Sequence, residues 1–129
     1  METESSSPVI LVVEDDGLVR RVSADQLADV GYQVLEAANS EEAIAIFEAG
    51  VGVAVLFTDV NMPGDLDGLD LARLVHQRWP NVRLLVTSGG AKAGPDDVPD
   101  EGRFIAKPYS LDRMCSMVDE LAGQGWSGA

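Results

Sequence analysis

The residues most able to do chemistry in this chain stand at the ends of apolar runs. Glu14, Asp15 and Asp16 follow five apolar residues in "VILVVEDDG", and Asp59 follows another run in "LFTDVNMPG". Thr87 and Ser88 close a third run in "LLVTSGG", and Lys107 closes the last in "FIAKPY". Two carboxylates ~4 Å apart repel by on the order of 4 kcal/mol even at an effective dielectric of ~20. Three adjacent acids at the end of a buried segment therefore need a compensating charge.

Glu14, Asp15 and Asp59 with one nearby lysine remain net negative, so a small cation would relieve them. All-oxygen ligands suit a hard ion, and few protein ligands with several waters suit Mg²⁺. Beside such an ion one carboxylate can act as a nucleophile toward a phosphoryl group. Lys107 and the Thr87 hydroxyl would then neutralise and position the phosphoryl oxygens. Taken singly, each residue has a plainer explanation. Asp16 reads first as a helix cap, Thr87 as an ordinary β-branched strand residue, and Pro63-Gly64 as the centre of a type II turn. His76 falls off the apolar stripe of its helix and reads as surface, and Cys115 as a small core residue. The signal is the combination at one edge of one sheet.

That edge requires a particular scaffold. Apolar runs recur at 9–13, 32–37, 53–57, 82–87 and 103–106, and three are nearly continuous, as in parallel strands covered on both faces. Helical patterns lie between them at 17–30, 40–49 and 67–79, and the cleanest follows at 110–122. There Leu111, Met114, Cys115, Val118, Leu121 and Ala122 share one face, with Ser110 as N-cap. The alternation implies an α/β fold: a doubly wound sheet of five parallel strands. In such sheets ligands bind at the carboxyl ends of the strands. Residues 89–102, "GGAKAGPDDVPDEG", break the alternation. Their glycines and prolines predict an irregular, mobile stretch with no helix longer than about two turns, so the helix between strands 4 and 5 is short or absent.

A chain of 129 residues fits one domain, expected over 8–122 with flexible tails at 1–7 and 123–129. The net charge of −13 argues against nucleic acid or an anionic membrane as a direct partner. A single cysteine forbids an internal disulfide and fits a reducing, cytoplasmic setting. "METESSSP" lacks the basic and apolar regions of a signal peptide, and with no apolar run of membrane length a soluble protein is expected.

Together "VVEDD", "TDVNMPG…DG", "LVTSG" and "FIAKPY" resemble, in order and spacing, the motifs of the receiver domain of bacterial two-component response regulators. The resemblance runs from about Val9 to Leu121. It implies the flavodoxin-like strand order 2-1-3-4-5. It also implies that Asp59 accepts the phosphoryl group. Asp15, Asp59 and the main-chain carbonyl of Asn61 would bind Mg²⁺ directly, with Glu14 acting mostly through water. Thr87 would couple the phosphoryl group to a switch with Phe104 as its aromatic, and the bond from Lys107 to Pro108 would be cis. The chain departs from the usual pattern in carrying Glu14 for the commoner aspartate, a longer "MPGDLDG" turn, and the broken 89–102 segment where most receivers have a helix of the output surface.

The function expected is that of a stand-alone receiver. It would take a phosphoryl group from a sensor histidine kinase or a histidine phosphotransfer protein and signal through a phosphorelay or altered protein binding. "LVTSGG" and the long "MPGDLDG" turn resemble receivers often found with hybrid kinases, a resemblance that slightly favours the relay. It would catalyse its own phosphorylation and hydrolysis only and act on no external metabolite. A small aspartyl-phosphate phosphatase is the rival, but such enzymes want an acid two residues after the nucleophile, where this chain has Asn61. A flavin carrier is a further rival, whose phosphate the acidic strand ends would repel.

Overall fold

The computed structural model describes residues 7–90, 95–99 and 102–125. Its elements are β1 (Val9–Val13), α1 (Gly17–Asp29), β2 (Gln33–Ala37), α2 (Ser40–Glu48), β3 (Val55–Asp59), α3 (Gly68–Arg78), β4 (Arg83–Ser88), β5 (Arg103–Ala106) and α4 (Leu111–Gly125). The strands form one parallel sheet in the order β2-β1-β3-β4-β5. β1, β3 and β4 are the continuous apolar runs, and they occupy the centre of the sheet, where both faces are covered. The edge strands β2 and β5 are more exposed.

Successive residues of each central strand point to opposite faces. Leu11, Val13, Leu56, Leu84 and Val86 meet Ala43 and Phe47 of α2 and Leu71 and Val75 of α3. Ile10, Val12, Val55, Phe57 and Leu85 meet Leu27 of α1 and Met114, Val118 and Leu121 of α4. Leu71 and Leu121 are fully buried, so truncating either to alanine should cost ~2–5 kcal/mol. Cys115 is buried in the second cluster, as its place on the α4 stripe predicts.

Polar residues start each helix. Asp16 Oδ1 accepts from the amides of Leu18 and Val19 at 3.0 and 3.1 Å, so Asp16 does cap α1. Asn39 caps α2, and Asp67 with Asp70 forms a capping box at α3. Ser110 Oγ accepts from Arg113 N at 3.0 Å, the cap expected for α4. Gly64 has φ +106°, as the second central residue of a type II turn requires.

β3 begins at Val55 and not Val53, and it continues to Asp59, so the acid is the last residue of the strand instead of following it. α4 continues past Ala122 to Gly125, into the stretch expected to be a tail. Between β4 and β5 the described residues hold no α-helix, only a 3₁₀ turn at Pro95–Asp97. Val98 packs inward against the α2/α3 face. Ala91 and Ala93, and much of the stretch expected to be mobile, lie outside the described residues. No described helix is long and apolar enough to cross a membrane.

Candidate functional site

The order β2-β1-β3-β4-β5 gathers the carboxyl ends of β1, β3, β4 and β5 along one edge. Glu14 leaves β1 with its amide donating to Ala37 O at 3.1 Å and its side chain turned inward, 5% exposed. Asp59 ends β3 at 4% exposure and pairs in register with Thr87 of β4. Lys107 leaves β5 tied to β4 by its amide, which donates to Ser88 O at 3.1 Å, and its bond to Pro108 is cis.

Lys107 Nζ lies 3.0 Å from Glu14 Oε1 and 3.0 Å from Asp59 Oδ2, bridging the two buried acids. Their remaining oxygens accept main-chain amides: Glu14 Oε2 from Asp16 at 3.1 Å and Asp59 Oδ1 from Asn61 at 3.2 Å. Asp15 is exposed, yet a carboxylate oxygen from each of Glu14, Asp15 and Asp59 lies within 4.8 Å of the others. Thr87 is 2% exposed, and its hydroxyl has no hydrogen-bond partner among the described residues. Glu14, Asp59 and Thr87 line one small cavity.

Burial pushes the Glu14 carboxyl above the usual range, and the Lys107 hydrogen bond only partly opposes this. Burial alone would lower Lys107, but its hydrogen bonds to Glu14 and Asp59 prevail and raise it. The ammonium is therefore held charged, and one ammonium cannot balance three carboxylates. Hard oxygen donors on two buried arms and one exposed arm, open to water, fit Mg²⁺.

Glu14, Asp15, Asp59 and Lys107 thus converge, with Thr87 beside Asp59. Asn61 reaches the cluster through its amide. Phe104 stands opposite Val86 and packs, partly buried, on the α2/α3 face away from the cavity lining. Three contacts escape the sequence motifs. Arg20 Nη1 donates to Glu14 O at 2.7 Å. The Ser23 and Tyr109 hydroxyls share a 3.0 Å hydrogen bond across the chain. Gly68 lies so close to β3 that a Cβ there would sit 1.9 Å from Asp59 O.

The family model for the response regulator receiver domain matches residues 10–119. The chain is 35% identical over 120 residues to the chemotaxis protein CheY1 of Helicobacter pylori, covering 88% of this chain and 96% of that one. It is also 35% identical over 121 residues to the sensor kinase CckA of Brucella abortus, covering 91% of this chain but only 13% of the kinase. Among solved structures, the receiver domain of the hybrid histidine kinase CckA superposes with a TM-score of 0.75 at 33% identity, covering 88% of this chain and 98% of that one. A response regulator receiver protein from Sinorhizobium medicae reaches 0.85 at 20% identity, covering 94% and 98%, a likeness of fold. The chain belongs to the response regulator receiver domain family.

Proposed function

We propose that this domain accepts a phosphoryl group from a phosphohistidine on a sensor kinase or phosphotransfer protein, and that Asp59 is the acceptor. The observation that carries this reading is the buried Thr87 hydroxyl next to Asp59, which has no partner among the described residues, since an unpaired buried donor costs ~1–3 kcal/mol. An arriving phosphoryl oxygen would give that hydroxyl its acceptor.

An Asp59 carboxylate oxygen attacks phosphorus as the bond from phosphorus to the imidazole nitrogen breaks, leaving an acyl phosphate on Asp59 and histidine on the donor. Lys107, already 3.0 Å from Asp59, passes from the carboxylate to a phosphoryl oxygen while Glu14 retains it from the other side. A cation held by Glu14, Asp15 and Asp59, with the Asn61 carbonyl completing the set, would neutralise phosphoryl charge. Hydrolysis of the acyl phosphate on the domain itself ends the signal, and no external metabolite is turned over. Asn61 offers no acid for a leaving group, which speaks against the phosphatase.

A donor fits the groove beside Lys107. Leu18, Val22, Pro108, Tyr109 and Leu111 line about 680 Å³ there, and Leu18 is 75% exposed on α1. An amphipathic helix bearing the phosphohistidine could cover these side chains and place its phosphorus near Asp59. The signal then leaves either by a further phosphoryl transfer or by altered binding of a protein target.

The test is phosphorylation by a small phosphodonor and by candidate kinases with Mg²⁺, followed by location of the modified residue. Asp59→Asn should fold and take no label. A fully labelled mutant refutes the assignment.

A further inference from the structure

We infer that Arg20 is a positioning residue for the cation site, acting through the peptide that joins Glu14 to Asp15. This role rests on the reading that Glu14, Asp15 and Asp59 hold Mg²⁺.

Arg20 sits near the start of α1, and a cation there opposes the positive end of the helix dipole. Its guanidinium points out of the helix to the strand ends. Nη1 donates to the Glu14 carbonyl at 2.7 Å, and Nε donates to Glu36 Oε1 of β2 at 3.1 Å. Two divergent donors on one rigid plane thereby span from the β1–α1 loop to the edge strand. The other polar groups of Glu14 are also engaged: its amide by Ala37 O, and its carboxylate by Lys107 and the Asp16 amide.

Those contacts fix Glu14, but the exposed Asp15 depends on how the intervening peptide is turned. The carbonyl that Arg20 holds belongs to that peptide. Arg20 therefore sets the direction from which the Asp15 carboxylate enters the cluster, and Glu36 in turn sets Arg20. Partners one step outside a ligand set commonly control metal affinity in this way.

Charge and positioning predict opposite signs, which makes the role testable. Removing a positive charge near a cation site should tighten cation binding on Coulomb grounds. Loosening the Asp15 carboxylate should weaken it. Calorimetric titration of the full chain with Mg²⁺ should show Arg20→Met binding about 10-fold more weakly than wild type. Arg20→Lys keeps the charge but lacks the two divergent donors, and should also lose affinity.

Phosphorylation of both variants by a small phosphodonor should return to the wild-type rate at saturating Mg²⁺, because Asp59, Thr87 and Lys107 are untouched. Unchanged or tighter Mg²⁺ binding in Arg20→Lys overturns the inference, as does a rate that saturating Mg²⁺ fails to restore. Wild-type protein that binds no Mg²⁺ overturns the metal reading beneath it, and Asp15→Asn, measured alongside, separates that outcome.

Discussion

Replacing Gly68 with alanine should damage both the fold and the proposed acceptor, Asp59. An added Cβ would lie 1.9 Å from Asp59 O, 2.6 Å from Asp59 C and 2.8 Å from Val60 Cα. These are main-chain atoms, so no side-chain rotation relieves the clash. The shortest approach falls about 1.5 Å inside the 3.4 Å at which ordinary contact begins, and either α3 or the end of β3 must give way. Gly68 N also donates to Val60 O at 3.0 Å, tying the two elements together.

Overpacking costs ~1–3 kcal/mol, and a clash with backbone belongs at the upper end. A loss of ~3 kcal/mol would lower Tm by roughly 10 °C. Because the displaced peptide carries Asp59, and a ~1 Å misplacement can cost ~10²-fold, phosphorylation should slow by about that factor. Gly123→Ala is the control: Gly123 is exposed in α4, with none of the described residues within 4 Å of where a Cβ would sit, and alanine there should stabilise by ~0.5–1 kcal/mol. Urea unfolding and initial phosphorylation rates report both effects. A Gly68→Ala protein within ~0.5 kcal/mol of wild type and labelled at the wild-type rate refutes the reasoning.

Mg²⁺ should stabilise the folded protein by ~2.7 kcal/mol at a hundredfold excess over its dissociation constant, and Asp15→Asn should stabilise the metal-free form while abolishing that gain; melting curves indifferent to Mg²⁺ would exclude the site. Thr87→Ala should change resting stability by less than ~1 kcal/mol, because the lost methyl is offset by removal of an unpaired buried hydroxyl. The same variant should accept phosphate more slowly, and an unchanged rate would remove Thr87 from the chemistry. Burial, only partly opposed by the Ser23 hydrogen bond, raises Tyr109 above its ordinary 10.0. The folded protein therefore keeps that proton to higher pH than the unfolded chain, so this contribution is whole below pH 10.0 and is lost as pH rises through the folded value. Tyr109→Phe should flatten that part of the alkaline loss in pH-dependent denaturation, and an unaltered curve would contradict it.

Periodicity was enough to place the strands, because the central ones are buried on both faces and carry uninterrupted apolar runs. Local hydrogen bonding made the caps at Asp16 and Ser110 legible for the same reason: donor and acceptor are near neighbours in sequence. The cluster of Glu14, Asp15, Asp59 and Lys107 could be read because each residue lies at or within two residues of the carboxyl end of a strand, and parallel strands end together. Arg20, Ser23 with Tyr109, and Gly68 obey no such rule. The first acts through a main-chain carbonyl, the second bridges α1 and the segment after β5, and the third matters for the side chain it lacks. The start of β3 was misplaced because Val53 and Ala54 are apolar like the strand; Ala54 N donates to Val9 O at 2.8 Å as the chain enters the sheet.

The pairing of β3 with β4 sets Leu56 against Leu84, Phe57 against Leu85 and Asp59 against Thr87 along one continuous ladder. Side chains alternate between faces, so a slip of one residue would reverse every inward and outward position of the slipped strand. Phe57 would leave the α1/α4 face, Leu56 would leave the α2/α3 face, and Asp59 would stand opposite Val86 or Ser88. The core therefore proofreads the active edge. A misregistered chain forfeits its packing along with the placement of Asp59, and its fate is to unfold, not to persist as a folded domain with a displaced carboxylate.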